Sequence, residues 1–333
     1  MVHLPILLIH GFNGAPSNWT GPADQFPQFL AAHDYDPDLI RVFDYGYSSS
    51  GGKKYYDNTG DIRQIAHRLD EANSNDAIVR ACAVDRLSQE SVARGGPQKV
   101  TIIAHSSGGL VARYYMTRAS EDRFGTRYRG NVGRVIFLGT PHLGVDVEDI
   151  LDPLPSTLTY GLMIRFHYMF PLNYHGDDRA MRKPLRRLHK GAWRNWRKAE
   201  EGAEEMPAFR QLHPGSEFLE DLNRPGAMPQ DVDYVNIVGD VCADVRLQTG
   251  HRTFHKEKDF GDFLVTVDSA GRIPNAASKC FPIRAEYGVS VEMRRGARQV
   301  VQFERPAGPV PIHRHMRSLP AVRKQIMELL ASH

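Results

Sequence analysis

Short apolar runs punctuate this chain, and several of them end in glycine or small polar residues. Leu4-Pro5-Ile6-Leu7-Leu8-Ile9 precedes His10-Gly11-Phe12-Asn13-Gly14, and Val100-Thr101-Ile102-Ile103-Ala104 precedes His105-Ser106-Ser107-Gly108. Neither run alternates with charged residues, so each predicts a strand covered on both faces, as at the centre of a parallel sheet. Tyr234-Val235-Asn236-Ile237-Val238-Gly239 and Gln299-Val300-Val301-Gln302-Phe303 predict two more strands. Elsewhere the spacing is helical. Ile62, Ile65, Ala66 and Leu69 share a face behind Asp61, a side chain suited to cap a helix. Val322, Ile326, Leu329 and Leu330 form a second stripe, opened by Pro320 where a missing N–H costs nothing. Strands interleaved with helices predict an α/β architecture.

From Lys99 to Tyr115 a strand breaks at Ala104-His105-Ser106-Ser107-Gly108 and continues as a helix. This order matches the G-x-S-x-G elbow, in which serine sits in a strained turn with its hydroxyl above the end of a sheet. Small neighbours are a steric need, because positive φ is costly and strand and helix approach closely there. Ala104 stands for the first glycine and still leaves room. The glycine-rich turn after Ile9 predicts an oxyanion loop. The main-chain amides of Phe12 and Ser107 are its candidate donors, and losing one such donor costs about 100- to 1,000-fold in rate.

PILLIHGFNG, AHSSGG and Leu138-Gly139-Thr140-Pro141-His142-Leu143-Gly144 together resemble the α/β-hydrolase superfamily, and within it the serine esterases and lipases. Gly215-Ser216-Glu217-Phe218-Leu219, before Leu222-Asn223, is similar to a segment of bacterial triacylglycerol lipases and of GPI inositol-deacylase-like hydrolases. The resemblance covers about residues 3 to 145 and 210 to 330. It implies a shortened, mostly parallel sheet of about six strands flanked by helices, starting at what would be the third strand of the full-length fold. It also implies one domain over residues 1–333, with residues 146–226 inserted as a helical lid or cap.

Chain order in that fold is nucleophile, acid, histidine. A histidine between the last strand and the last helix resembles the family base. His313 fits best by its distance to Pro320 and Val322, and His315 is the alternative. Imidazole suits proton shuttling because its ordinary pKa lies near neutrality. Gly261-Asp262-Phe263-Leu264-Val265 resembles the G-D-G-x-V segment that carries the acid in lecithin-acyltransferase-like and deacylase-like lipases, which favours Asp262. Phe263 replaces the second glycine, so the turn is expected to depart from the family's. Asp240, where the Tyr234 strand is expected to end, and Asp244 are alternative acids. The implied activity is hydrolysis of apolar acyl esters or lipids by Ser106 through an acyl-enzyme, with no cofactor and no metal. Thioesters, amides or polyesters are alternative substrates for the same residues, and a binding protein that has lost its chemistry is the alternative class.

Composition narrows the partners. With 333 residues, 41% hydrophobic and 24% charged, the chain has ample material for a core. The net charge is only +3, which with a single basic cluster argues against nucleic acid. That cluster, residues 179–198, carries Trp193 and Trp196 and is followed by Glu200, Glu201, Glu204 and Glu205. It reads either as a peripheral contact with a lipid interface or as a solvated charged face. The apolar stretch Leu158 to Tyr174 reads either as an acyl-pocket lining or as a helix packed on the core. Cys82, Cys242 and Cys280 fit no metal spacing, and a bridge between the last two is left open. No zinc, Walker or dinucleotide signature is present. No apolar run reaches about 18 residues, and no basic leader with a cleavable apolar core opens the chain. A cytoplasmic location is therefore expected, with secretion the alternative if a leader has been removed.

Overall fold

Burial without alternation is what the two central apolar runs achieve. The computed structural model describes residues 2–12, 14–22, 24–45, 47–50, 53–56, 60–70, 84–117, 125–145, 207–249, 252–294, 298–304 and 309–332. In chain order the strands are β1 (Ile6–Ile9), β2 (Ile40–Val42), β3 (Tyr47–Ser50), β4 (Lys53–Tyr56), β5 (Val100–His105), β6 (Val132–Leu138), β7 (Asp233–Thr249), β8 (Arg252–Asp259), β9 (Lys279–Arg294) and β10 (Arg298–Glu304). Among the described residues the helices are α1 (Ser17–Thr20), α2 (Phe26–Ala31), α3 (Ile62–His67), α4 (Val84–Ala93), α5 (Ser107–Met116), α6 (Pro207–Gln211), α7 (Glu217–Leu222), α8 (Val267–Gly271) and α9 (Pro320–Ala331).

Among the described residues six strands run parallel in the order β2-β1-β5-β6-β7-β9. β10 adds antiparallel to β9, and β8 adds antiparallel to the outer part of β7. β3 and β4 pair apart from this sheet. Every residue of β1 and β5 is buried. Successive side chains of a strand point to opposite faces, and the two core clusters divide accordingly. Leu7, Ile9, Ile102 and Ala104 pack with Leu110, Tyr115, Phe218 and Leu222 from α5 and α7. Ile6, Leu8 and Ile103 pack with Trp19, Phe26, Val322 and Ile326 from α1, α2 and α9. Helices thus cover both faces, as an α/β sheet requires. Each fully buried leucine or isoleucine contributes about 1.5–3 kcal/mol to holding these layers.

Local signals act where expected. The Asp61 carboxylate accepts the Arg63 amide at 2.9 Å and caps α3, and Pro320 opens α9. β7 does not stop at Asp240. It runs on to Thr249 and β8 brings the chain back, so that the Phe260 amide donates to Val241 O and the Val241 amide to Gly261 O, both at 2.8 Å. The turn after β8 therefore lies beside Val241, as though it followed a shorter strand directly. Of the expected insertion, residues 146–206, including both the apolar stretch and the basic segment 179–198, lie outside the described residues, as does Cys82. Residues 207–226 contribute Ala208, Leu212, Phe218, Leu219 and Leu222 to the core under α5. Among the described residues Cys242 and Cys280 are free cysteines. They pair with Glu286 and Asn236 respectively, six positions apart along adjacent strands, far beyond disulfide reach. No described helix is long and apolar enough to cross a membrane.

Candidate active site

The end of β5 delivers Ser106 into a turn that ordinary residues avoid. Its φ is +57° and its ψ −136°, a strain worth about 1–3 kcal/mol. The Ser106 amide donates to Leu138 O at 3.0 Å, fastening the turn to the end of β6. Glycines make room for it. A Cβ on Gly108 would stand 2.3 Å from His10 O, and one on Gly109 2.1 Å from Thr140 Oγ1. Ala104 occupies the first-glycine position fully buried, paired between β1 and β6.

Two side chains distant in sequence meet this serine. The Ser106 hydroxyl donates to His313 Nε2 at 2.8 Å, and His313 Nδ1–H donates to Asp262 Oδ2 at 2.6 Å. A carboxylate only accepts, so the hydrogen sits on Nδ1 and Nε2 is free to accept. All three residues are nearly enclosed: Asp262 is 1% exposed, His313 6% and Ser106 9%. Oδ1 of Asp262 accepts the amides of Leu264 at 3.0 Å and Val265 at 2.8 Å, which fixes the plane of the carboxylate. Phe263, which stands where the resembled segment has its second glycine, adopts φ +69° all the same, with Gly261 at +54°. Stacking of Phe263 on Phe260, with ring centroids 5.6 Å apart, accompanies that conformation.

The alternative residues lie elsewhere. Asp240 sits in β7 opposite Arg284 of β9, where partial burial pushes its carboxyl up against the pull of that guanidinium. Asp244 lies further out on β7, opposite Glu257 and Gly288. His315 accepts from Arg314 Nε at 2.7 Å, and partial burial, with the Arg314 charge, lowers its pKa. The loop after β1 passes against the serine: a Cβ on Gly11 would stand 2.6 Å from Ser106 Cβ and 3.1 Å from its Oγ. Phe12 follows immediately. Ser107 is the first residue of α5, where the leading N–H groups have no acceptor within the helix.

One wall of the site was visible as a motif but not as a role. Gly139, at φ +57°, has its Cα packed so closely that a Cβ would stand 2.6 Å from Asp262 Oδ2 and 3.2 Å from His313 Nδ1. Beyond it, His142 is buried between Asn236 Oδ1, which takes its Nε2–H at 2.9 Å, and Arg113, which donates to Nδ1 at 3.3 Å. Burial, then the Arg113 charge, holds this imidazole well below its ordinary pKa. Beside the serine, burial drives His10 down to about 4, opposed by its hydrogen bond to Gly11 and assisted by the charge of Arg317. Among the described residues no group of three His, Cys, Asp or Glu side chains could hold a metal ion. The arrangement is a hydroxyl whose proton has an acceptor, with that acceptor oriented by a buried carboxylate.

A family model described as the Alpha/beta hydrolase family matches residues 6–275. Among solved structures, the chain is similar to lipase 1 from Pelosinus fermentans, at 14% identity with 99% of each chain covered and a TM-score of 0.44. It is also similar to the product of gene lin2722 from Listeria innocua, at 12% identity, covering 98% of this chain and 93% of that one, with a TM-score of 0.42. A third likeness is to phospholipase PlaB from Legionella pneumophila, at 13% identity and a TM-score of 0.42, covering 93% of this chain and 51% of that one. The chain thus spans about half the length of PlaB. The family match takes in both the elbow at Ser106 and the turn at Asp262. The chain belongs to the α/β hydrolase family.

Proposed function

We propose that this chain hydrolyses carboxylic esters with apolar acyl groups, with Ser106 as nucleophile, His313 as general base and acid, and Asp262 as the carboxylate that orients it. The observation that carries this reading is the unbroken relay from Ser106 Oγ through His313 to Asp262, at 2.8 and 2.6 Å. Ser106 Oγ bonds to the ester carbonyl carbon while its proton passes to His313 Nε2. The carbonyl oxygen becomes an oxyanion facing the amides of Phe12 and Ser107. Collapse breaks the bond to the alkoxy oxygen, which leaves as the alcohol with the proton from Nε2. Water then attacks the acyl-enzyme, gives its proton to the same nitrogen, and the acid departs as Ser106 recovers its hydrogen. Asp262 accepts the Nδ1–H throughout and stabilises the imidazolium without taking its proton.

Apolar acyl groups are favoured by the side chains beside the relay. Phe12 and Phe209 are both partly exposed, with ring centroids 6.4 Å apart, and Leu264 next to the acid is partly exposed as well. The test is a p-nitrophenyl ester series from acetate to palmitate, with an octanoyl thioester and an octanoyl anilide beside it. Turnover rising beyond acetate, and lost by roughly 10,000-fold or more in Ser106→Ala, is the expected result. Full activity in Ser106→Ala would overturn the nucleophile. Preference for the anilide or thioester would replace the substrate class.

A further inference from the structure

We propose that His105 and Arg317 form a strut that positions His313 by gripping its main chain. This inference rests on the reading of His313 as the base. His105 is the last residue of β5 and stands directly before Ser106, its side chain buried. Its Nε2 lies 2.8 Å from His313 O, and its Nδ1 lies 2.9 Å from Arg317 Nη1. A guanidinium has no acceptor, so Nδ1 must take the hydrogen bond from Arg317, and the ring hydrogen must sit on Nε2. Nε2–H is then aimed at the His313 carbonyl. One neutral tautomer satisfies both contacts, and no other does.

The strut has a foundation. Arg317 is 4% exposed; its Nε donates to Asn18 O at 3.0 Å, its Nη2 lies 3.5 Å from Asp24 Oδ2, and its guanidinium stands 5.6 Å over the Trp19 ring. These partners belong to α1 and the turn after it, which follow the loop carrying Phe12. The His313 amide meanwhile donates to Asp262 O at 3.0 Å. Both polar groups of the His313 backbone are therefore fixed, one by the residue carrying the acid and one by the residue preceding the nucleophile. The His105 and His313 rings lie 4.8 Å apart, so a shift of one is felt by the other. His105 and Arg317 touch no reacting atom, which makes them positioning residues. Misplacement of a catalytic group by about 1 Å can cost about 100-fold in rate.

The experiment joins kinetics to tautomer spectroscopy. His105→Phe leaves His313 O without its donor and Arg317 without its acceptor, whereas the amide of His105→Gln offers a donor and an acceptor again. Expected are a kcat lowered about 10- to 100-fold in His105→Phe with KM within about threefold, and recovery of most of that loss in His105→Gln. Arg317→Lys keeps the charge but not the fork, and its loss should overlap with that of His105→Phe in the double variant instead of multiplying. Selective 15N-histidine labelling should show the His105 signal, identified by its disappearance in His105→Gln, as the Nε2–H tautomer. Ser106→Ala runs in parallel: activity surviving there sinks the nucleophile itself. With Ser106→Ala dead, wild-type kcat in His105→Phe, fully multiplicative losses, or an Nδ1–H tautomer at His105 would each overturn the strut. If His105→Phe fails to fold, the tautomer signal and Arg317→Lys decide the matter.

Discussion

His10 is a buried imidazole that should make the fold sensitive to mild acid, with a slope that can be calculated. It is 0% exposed, its ring lies 4.1 Å from that of Tyr45, and its Nε2 has no hydrogen-bond partner among the described residues. Burial lowers its pKa from 6.5 to about 4. Between those values the unfolded chain binds a proton that the folded chain refuses. Stability is therefore complete above pH 6.5, falls as pH drops, and stops falling on this account below about 4. At about 1.4 kcal/mol per pH unit, the loss from this one group is roughly 3 kcal/mol. His105 and His142, also held well below the ordinary imidazole range by burial, add losses of the same sign. The carboxylates Asp36, Asp231 and Asp233, whose pKa values are lowered by their partners, act below the ordinary aspartate range, whereas Asp240, raised by burial, acts above it with the opposite sign and is common to the wild type and the variant compared below. His10→Phe retains the ring beside Tyr45 and removes the titration. Urea unfolding of both proteins from pH 7 to 4.5 should show the wild type losing stability faster, its advantage over the variant shrinking by about 1.4 kcal/mol per unit. Parallel curves would refute the reasoning, because the proton refused by the folded state would then not belong to His10.

Two further substitutions probe the relay. Gly139→Ala drives a methyl group to 2.6 Å from Asp262 Oδ2, so the His313–Asp262 contact should part and kcat should fall by about 100-fold while the circular dichroism spectrum is kept; unchanged kcat would show that the wall is looser than drawn. Asp262→Asn should lower kcat by about 10,000-fold, since the amide favours the wrong tautomer, whereas Asp240→Asn should stay within about threefold of wild type; the reverse ranking would move the acid to β7.

The parts of the fold that could be read from the chain are those whose cause is local. β1 and β5 are buried on both faces, so their apolar runs carry no competing signal. Ser106 was recognisable because its strained φ demands small neighbours, and Asp61 because a cap is made within one turn. β9 was not foreseen. At the edge of the parallel array it turns Phe281, Ile283 and Ala285 inward while Cys280, Pro282, Arg284 and Glu286 face out, and Pro282 falls where β10 does not yet pair. β10 was foreseen as a strand, but its antiparallel direction was not. Asp240 competed with Asp262 because the apolar pattern fades at Gly239; that β7 runs on and β8 returns beside Val241 is a property of pairing, which no local window contains. Gly139 and His105 are likewise explained by atoms far away in sequence. Their residue types could be seen, but the reasons for them could not.

The central claim is that Ser106 carries an activated hydroxyl. Treatment with a fluorophosphonate followed by peptide mass spectrometry tests it most directly, because only a serine whose proton has an acceptor reacts at a useful rate. The account predicts one adduct, on Ser106, absent in Ser106→Ala and formed far more slowly in His313→Ala. An adduct on another residue, or a protein that cleaves esters while Ser106 stays unmodified, would contradict it.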